Sequence, residues 1–236
     1  MTSGCFAFIF ARGGSKGVPR KNLQMVGGLT LVARAIVTAQ QTPGIDRVIV
    51  STDDAEIAAQ AEEYGAEVPE LRPDHLAHDG ASELDAWKHA ISWFLDNTGQ
   101  PNFDIFVSVP PTAPLRTPEI LRRCMDLLNA DCDMVVTGSA SARHPAFNMI
   151  SRDVHGLVRV AHPVAAGVTR RQDVPPLYDL TTVAYVSRPR HILKIGSVLE
   201  GRVKMLEVDR RSAIDIDDEF DLKVAQLLYD EEGNHE

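Results

Sequence analysis

Phe6-Ala7-Phe8-Ile9-Phe10-Ala11-Arg12-Gly13-Gly14-Ser15-Lys16-Gly17-Val18-Pro19-Arg20-Lys21-Asn22 joins a short run of apolar β-formers to a basic, glycine-rich loop. The apolar residues are continuous rather than alternating, as in a strand buried on both faces. Such strands belong to parallel sheets covered by helices, and the chain downstream keeps that rhythm. Leu29–Gln40 has helical apolar spacing, and Arg47–Ser51 is a second buried strand. That strand ends in Thr52-Asp53-Asp54, a helix start for the alanine-rich Ala55–Tyr64, which Gly65 stops. A polar stretch, Leu71–Ala81, precedes a helix over Glu83–Leu95, and strand Ile105–Val109 runs into P-P-T-A-P-L-R-T-P. Glu119–Leu128 is helical and Met134–Thr137 a strand.

Between Ser139 and Asp179 the rhythm breaks, with several prolines and no helical period. A structureless loop of that length is unusual in a compact domain, so a protruding β arm or subdomain is expected. Strands near Val183–Ser187 and Val203–Val208 and a helix over Glu219–Tyr229 resume the pattern, and Asp230–Glu236 reads as a frayed acidic tail. The expected fold is therefore a single α/β domain over residues 1–236, with a mostly parallel nucleotide-binding sheet, helices on both faces, and an inserted arm at 139–179.

The 236 residues are 44% apolar and 24% charged, which is the composition of a globular domain with one sizeable core. A net charge of −9 argues against a general nucleic-acid binder, which needs a basic face. Cys5, Cys124 and Cys132 have no metal-ligand spacing and read as small buried hydrophobes in a reducing compartment. The first apolar run is too short for a membrane span and lacks a targeting pattern, so no membrane partner and a cytoplasmic location are expected.

In an acidic chain the basic loop is informative. Its glycines let backbone approach a ligand. Arg12, Lys16, Arg20 and Lys21, with backbone N–H groups, suit a triphosphate. The spacing is not that of a Walker A loop. A merely solvated turn is the alternative, made weaker by the loop's place after the first strand, where α/β sheets collect ligands. Far along the chain, Ser212-Ala213-Ile214-Asp215-Ile216-Asp217-Asp218 alternates carboxylates with isoleucines, so Asp215 and Asp217 share one face of an extended segment. Two oxygen ligands there suit Mg²⁺. An Asp-rich helix start is the alternative. Together the two features supply what nucleotidyl transfer needs: charge neutralisation and in-line positioning.

A-R-G-G-S-K-G-V-P-R-K-N resembles the opening loop of the acylneuraminate (CMP-sialic acid type) cytidylyltransferase family. V-S-T-D at Val50–Asp53, L-R-P at Leu71–Pro73, P-T-A-P-L-R-T at Pro111–Thr117 and S-A-I-D-I-D at Ser212–Asp217 follow in the family's order over nearly the whole chain. The resemblance implies transfer of CMP from CTP to an acidic sugar. Arg12, Ser15 and Lys21 would hold the phosphates, with Gly13 and Lys16 in the same loop, and Asn22 and Arg72 would read the cytosine. Ser82, in Asp79-Gly80-Ala81-Ser82, would sit near base or ribose, and Asp215 and Asp217 would bind Mg²⁺. Lys21, Arg12, Asp215 and Asp217 form the expected catalytic set. No residue stands out as general base; deprotonation assisted by the metal or by Asp215 or Asp217 is one route. The family also implies a homodimer whose arm covers the partner's site, with Arg171 or Gln172 reaching across.

The departures fall at the expected sugar contacts. A glutamine typical of sialic-acid enzymes is Pro110 here, and in the family's R-P-N-G-A-I-Y the arginine and asparagine become Asp179 and Thr181. The same reaction on a different acidic nonulosonate, of legionaminic or pseudaminic type, is expected. Asp179 would meet a donor on the sugar or else pair with Arg170 or Arg171. His144 is either a sugar neighbour or a turn histidine, and Arg116 either a ligand contact or a structural clamp on its loop. Trp87 and Trp93 read as core or dimer contacts. Two rival readings stand: a nucleotidyltransferase for another sugar or sugar phosphate, and a nucleotide-sensing dimer without turnover.

Overall fold

The computed structural model describes residues 4–78, 80–97, 103–163 and 170–233. Its central sheet is built from β1 (Gly4–Phe10), β4 (Arg47–Ser51), β5 (Phe103–Ser108), β6 (Met134–Ala140), β9 (Tyr178–Ser187) and β10 (Val203–Glu207), in the order β10-β6-β9-β5-β1-β4. β2 (Met25–Val26) and β3 (Leu29–Thr30) form a small hairpin after the basic loop. The helices are α1 (Leu31–Gln40), α2 (Ala55–Glu63), α3 (Glu83–Asn97), α4 (Pro118–Leu127), the short α5 (Pro189–Ile192) and α6 (Glu219–Gly233).

The double-faced burial expected of β1 is visible residue by residue. Cys5, Ala7 and Ile9 face a cluster built with α1, α2 and α4, while Phe6 and Phe8 face a second cluster with α3 and α5. Trp87 is fully buried among the aromatic side chains of that second layer, and Trp93 packs on its edge. The thiols of Cys5 and Cys124 are pushed up to about 12, chiefly by burial, so neither is reactive. Helix starts follow local chemistry. Thr30 caps α1, the Asp54 carboxylate accepts from Glu56 and Ile57 N–H at α2, and Thr117 with Pro118 opens α4.

β9 departs from the parallel pattern. It runs antiparallel between β5 and β6, and the described residues of the 139–179 excursion hold no α-helix to carry a parallel crossover. The strand is longer than Val183–Ser187, and its pairing with β6 jumps: Val136 faces Tyr185, but Thr137 already faces Thr181. Residues 182–184 therefore bulge out of the ladder. Thr137 Oγ1 stitches the bulge by donating towards the carbonyls of Thr181 and Ala184 and accepting from Ala184 N–H at 3.2 Å. Bulges of this kind re-aim side chains next to active sites.

In the expected arm, β7 (Ile150–Arg152) and β8 (Val158–Val160) form an antiparallel hairpin. Ile150, Leu157 and Val158 are all more than half exposed on it. The C-terminal helix runs on to Gly233, so the first part of the expected acidic tail is helical, and 234–236 lie outside the described residues. No helix among the described residues is long and apolar enough to cross a membrane.

Candidate active site

At the carboxyl ends of β1, β4 and β5 lies a cavity of about 310 Å³. Its lining brings together Arg12, Ser15, Lys21 and Asn22 from the basic loop, Arg72 and Ser82 from the segment before α3, and Pro110 from the loop after β5. Asn22 is buried and donates from Nδ2 to the Arg12 carbonyl at 2.9 Å, closing the loop on itself. The Arg72 guanidinium is buried, 3.8 Å from Asp53, with Nε unpartnered; its backbone N–H donates to Thr52. Burial lowers its pKa, and Asp53 opposes the shift. Gly14 faces open space, so ligand can approach its backbone.

Gly13 and Lys16 are not in the lining. Gly13 N–H donates to Asp53 at 3.0 Å, and a Cβ there would run into Asp54, so packing rather than a ligand explains this glycine. Lys16 is exposed on the same loop. Arg20, in the left-handed region, turns away to pair with Glu56 at 2.8 Å and Asp54 at 3.2 Å. Asp79 lies outside the described residues.

The acidic segment meets the loop. A Cβ on Gly17 would overlap the Asp217 carbonyl, so only glycine allows this approach. Lys21 Nζ donates to the Ile216 carbonyl at 2.5 Å and lies 3.5 Å from the Asp217 carboxylate. Ile216 N–H donates to the Thr112 carbonyl at 2.8 Å, docking the segment on the proline-rich loop. Burial raises the Asp215 carboxyl and Asp217 adds to the effect; Thr112, Thr182 and Lys21 pull it back down. Helix capping is done by other residues: Asp218 accepts from Phe220 and Asp221 N–H, and Asp221 accepts from Asp217 and Asp218 N–H. Asp215 and Asp217 are thus not consumed by the helix start. Asp215 Oδ1 is buried without a hydrogen-bond partner, and Asp217 is exposed beside it. That pair fits a hard cation whose other positions are filled by phosphate oxygens and water.

Among the expected sugar contacts, Pro110 alone is in the lining. Thr181 is buried outside the lining, and its hydroxyl donates to Thr137 at 2.8 Å. The bulge aims Thr182 at the cavity in its place. Asp179 lies on the exposed outer half of β9, beyond the bulge. Arg170 is held by Asp173 at 3.0 Å. Gln172 lines a separate concavity in the arm with His144 and Pro175, and the Arg171 side chain lies outside what is described. His144 is a buried turn histidine whose Nδ1 accepts from Ala146 N–H.

Arg116 is a structural clamp. Fully enclosed, it donates to the carbonyls of Pro110, Ala113 and Val183, tying the proline-rich loop to the β9 bulge. Burial drops its pKa to about 9. Glu83 in the lining is a residue that sequence reasoning missed. As the first residue of a helix it reads as an N-terminal acid.

The chain was compared with known proteins. The sequence model of the family described as Cytidylyltransferase matches residues 6–202. A CMP-N,N'-diacetyllegionaminic acid synthase of Campylobacter jejuni is 30% identical over 221 residues, covering 93% of this chain and 92% of its own. The enzyme of the same name from Legionella pneumophila is 30% identical over 226 residues, covering 94% of each. Among solved structures, CMP:2-keto-3-deoxy-manno-octonic acid synthetase complexed with CTP superposes with a TM-score of 0.71 at 15% identity, over 98% of this chain and 100% of the other. With the family model spanning both the basic loop and the strands that position it, the chain belongs to the cytidylyltransferase family.

Proposed function

We propose that this enzyme transfers CMP from CTP to an acidic 2-keto-3-deoxy sugar of nonulosonate type and releases pyrophosphate. One observation carries the reading: Lys21, in a loop that lines the cleft with cations and backbone N–H groups, also donates to the Ile216 carbonyl and lies 3.5 Å from Asp217, which brings the acidic segment to the edge of that cleft. Arg12, Ser15 and Lys21 hold the triphosphate, and Asn22, Arg72 and Ser82 take the nucleoside. Asp215 and Asp217 hold Mg²⁺, which when bound supplies charge neutralisation at the phosphates. Lys21 keeps the Asp217 end of the segment against the loop, so phosphates and carboxylates meet in a fixed geometry.

The names of the Campylobacter and Legionella relatives favour a legionaminic-type acceptor. Pro110 gives a sugar no side-chain hydrogen bond. Pyrophosphate release should therefore be fastest with CTP among the four nucleoside triphosphates. N-acetylneuraminic acid should be at least tenfold less efficient than a legionaminic-type acid, because mispaired polar groups discriminate strongly. Fastest turnover with another nucleotide, or with N-acetylneuraminic acid, overturns the respective half.

The protein acts in the cytoplasm as a homodimer, and the apolar residues exposed on the arm form its contact. Ile150→Asp with Val158→Asp should shift the protein from dimer to monomer in light scattering. A wild-type monomer at micromolar concentration would rule this out.

A further inference from the structure

Buried polar side-chain atoms are nearly always paired in folded proteins. Among the described residues, several lack a well-aligned partner: Trp87 Nε1, Ser108 Oγ, and Thr182 Oγ1 and Asp215 Oδ1, whose side chains approach each other at the edge of the cleft. Tyr185 links them. Its ring lies 5.2 Å from that of Trp87, Ser108 is its register partner on β5, and Thr182 precedes it in the bulge. Burial, Glu83 and Asp215 all push the Tyr185 hydroxyl up, so both carboxyls lie near it.

Glu83 stands at the wall of this chamber. It is exposed to the cavity, and the charges or hydrogen-bonding groups of Arg72, Trp87 and Asp215 reach it. The Trp87 indole N–H approaches it without a well-aligned hydrogen bond. Across the cleft, Pro110 and Pro111 offer no polar side-chain groups. Among the described lining residues Glu83 is the one carboxylate, an acceptor with no competing donor of its own. The chamber has the wrong sign for phosphates, whose cations Arg12 and Lys21 come from the basic loop. It suits an uncharged, hydroxyl- or amide-bearing group, and it adjoins Asp215, where an acceptor must present its attacking oxygen.

We propose that Glu83 is a specificity-determining residue that accepts a hydrogen bond from the acceptor sugar, from a hydroxyl or an exocyclic amide N–H. This rests on the cytidylyl-transfer reading above. The test is steady-state kinetics of full-length wild type, Glu83→Gln and Glu83→Ala with CTP and a panel of keto acid sugars. CTP binding is measured separately by calorimetry without sugar. Glu83→Ala should raise the sugar KM tenfold or more and reorder the panel, with CTP affinity within twofold of wild type. Glu83→Gln, which keeps one acceptor and the side-chain shape, should lose less. An unchanged sugar KM and ranking in both variants overturns the assignment. So does an equal loss of CTP affinity, which would place Glu83 on the nucleotide. Wild type that binds CTP but turns over no sugar in the panel sinks the transfer reading itself, a result distinct from failure of the variants alone. Matching melting curves for wild type and Glu83→Gln control for folding.

Discussion

Asp215→Asn and Asp217→Asn should each fold as wild type and lose activity on the order of a hundredfold or more. An amide keeps the shape but removes the negative charge that holds a divalent cation, and the lost charge neutralisation is worth several kcal/mol. The helix start supplies the internal control. Asp218 and Asp221 carry the capping bonds of α6, so Asp218→Ala should lower the melting temperature through a loss of about 1 kcal/mol. Its effect on turnover at saturating CTP should be small. Raised magnesium should restore part of the activity of Asp217→Asn, whose carboxylate is exposed, more than that of the enclosed Asp215→Asn. Full activity of either asparagine variant at ordinary magnesium would mean that the pair plays no part in holding a metal.

Lys21→Ala should cost about 2–4 kcal/mol of transition-state stabilisation, the usual range for one preorganised electrostatic contact. That corresponds to a fall of roughly thirty- to several-hundred-fold in kcat/KM for CTP. The neighbouring Arg20→Ala should fall by much less, since that guanidinium is committed to Glu56 and Asp54 outside the cleft. The contrast separates a general effect of positive charge from a located one. Equal losses in the two variants would point to the loop's net charge, and an unchanged Lys21→Ala would remove Lys21 from the phosphate site.

Much of this was legible in the sequence because burial dictates pattern. The continuous apolar run of β1 could only be a two-faced strand, and the glycines with clustered cations after it had few uses in an acidic chain. Alternation of Asp215 and Asp217 with Ile214 and Ile216 suggested one carboxylate face, and in the fold Ile216 is buried while Asp217 is exposed. The antiparallel course of β9 was not legible, since strand direction depends on how the chain returns from an excursion, which leaves no local pattern. Thr181 was assigned to the sugar because it stands where the resembled family has an asparagine, and aligned residues say nothing of a local bulge. The bulge that substitutes Thr182 is held by Thr137 and Arg116, whose involvement no nearby residue announces. Glu83 was hidden for a similar reason: an acid at a helix start has an ordinary explanation, and its place in the cavity wall near Arg72, Trp87 and Asp215 exists only in three dimensions.

The contact between Lys21 and the Ile216 carbonyl spans 195 positions. Nearby, Gly27 N–H donates to Gln226 and Arg34 stacks on Tyr229, so α6 fastens the same end of the molecule to β2 and α1. Synthesis runs from the amino end, so the ribosome delivers the basic loop long before the acidic segment that meets it. The loop's glycines and strand are local in sequence, but Lys21 finds this partner only across 195 positions, and closing so long a loop costs chain entropy that local contacts do not. The two halves of this end of the molecule are thus made far apart in time and joined by a non-local step of folding.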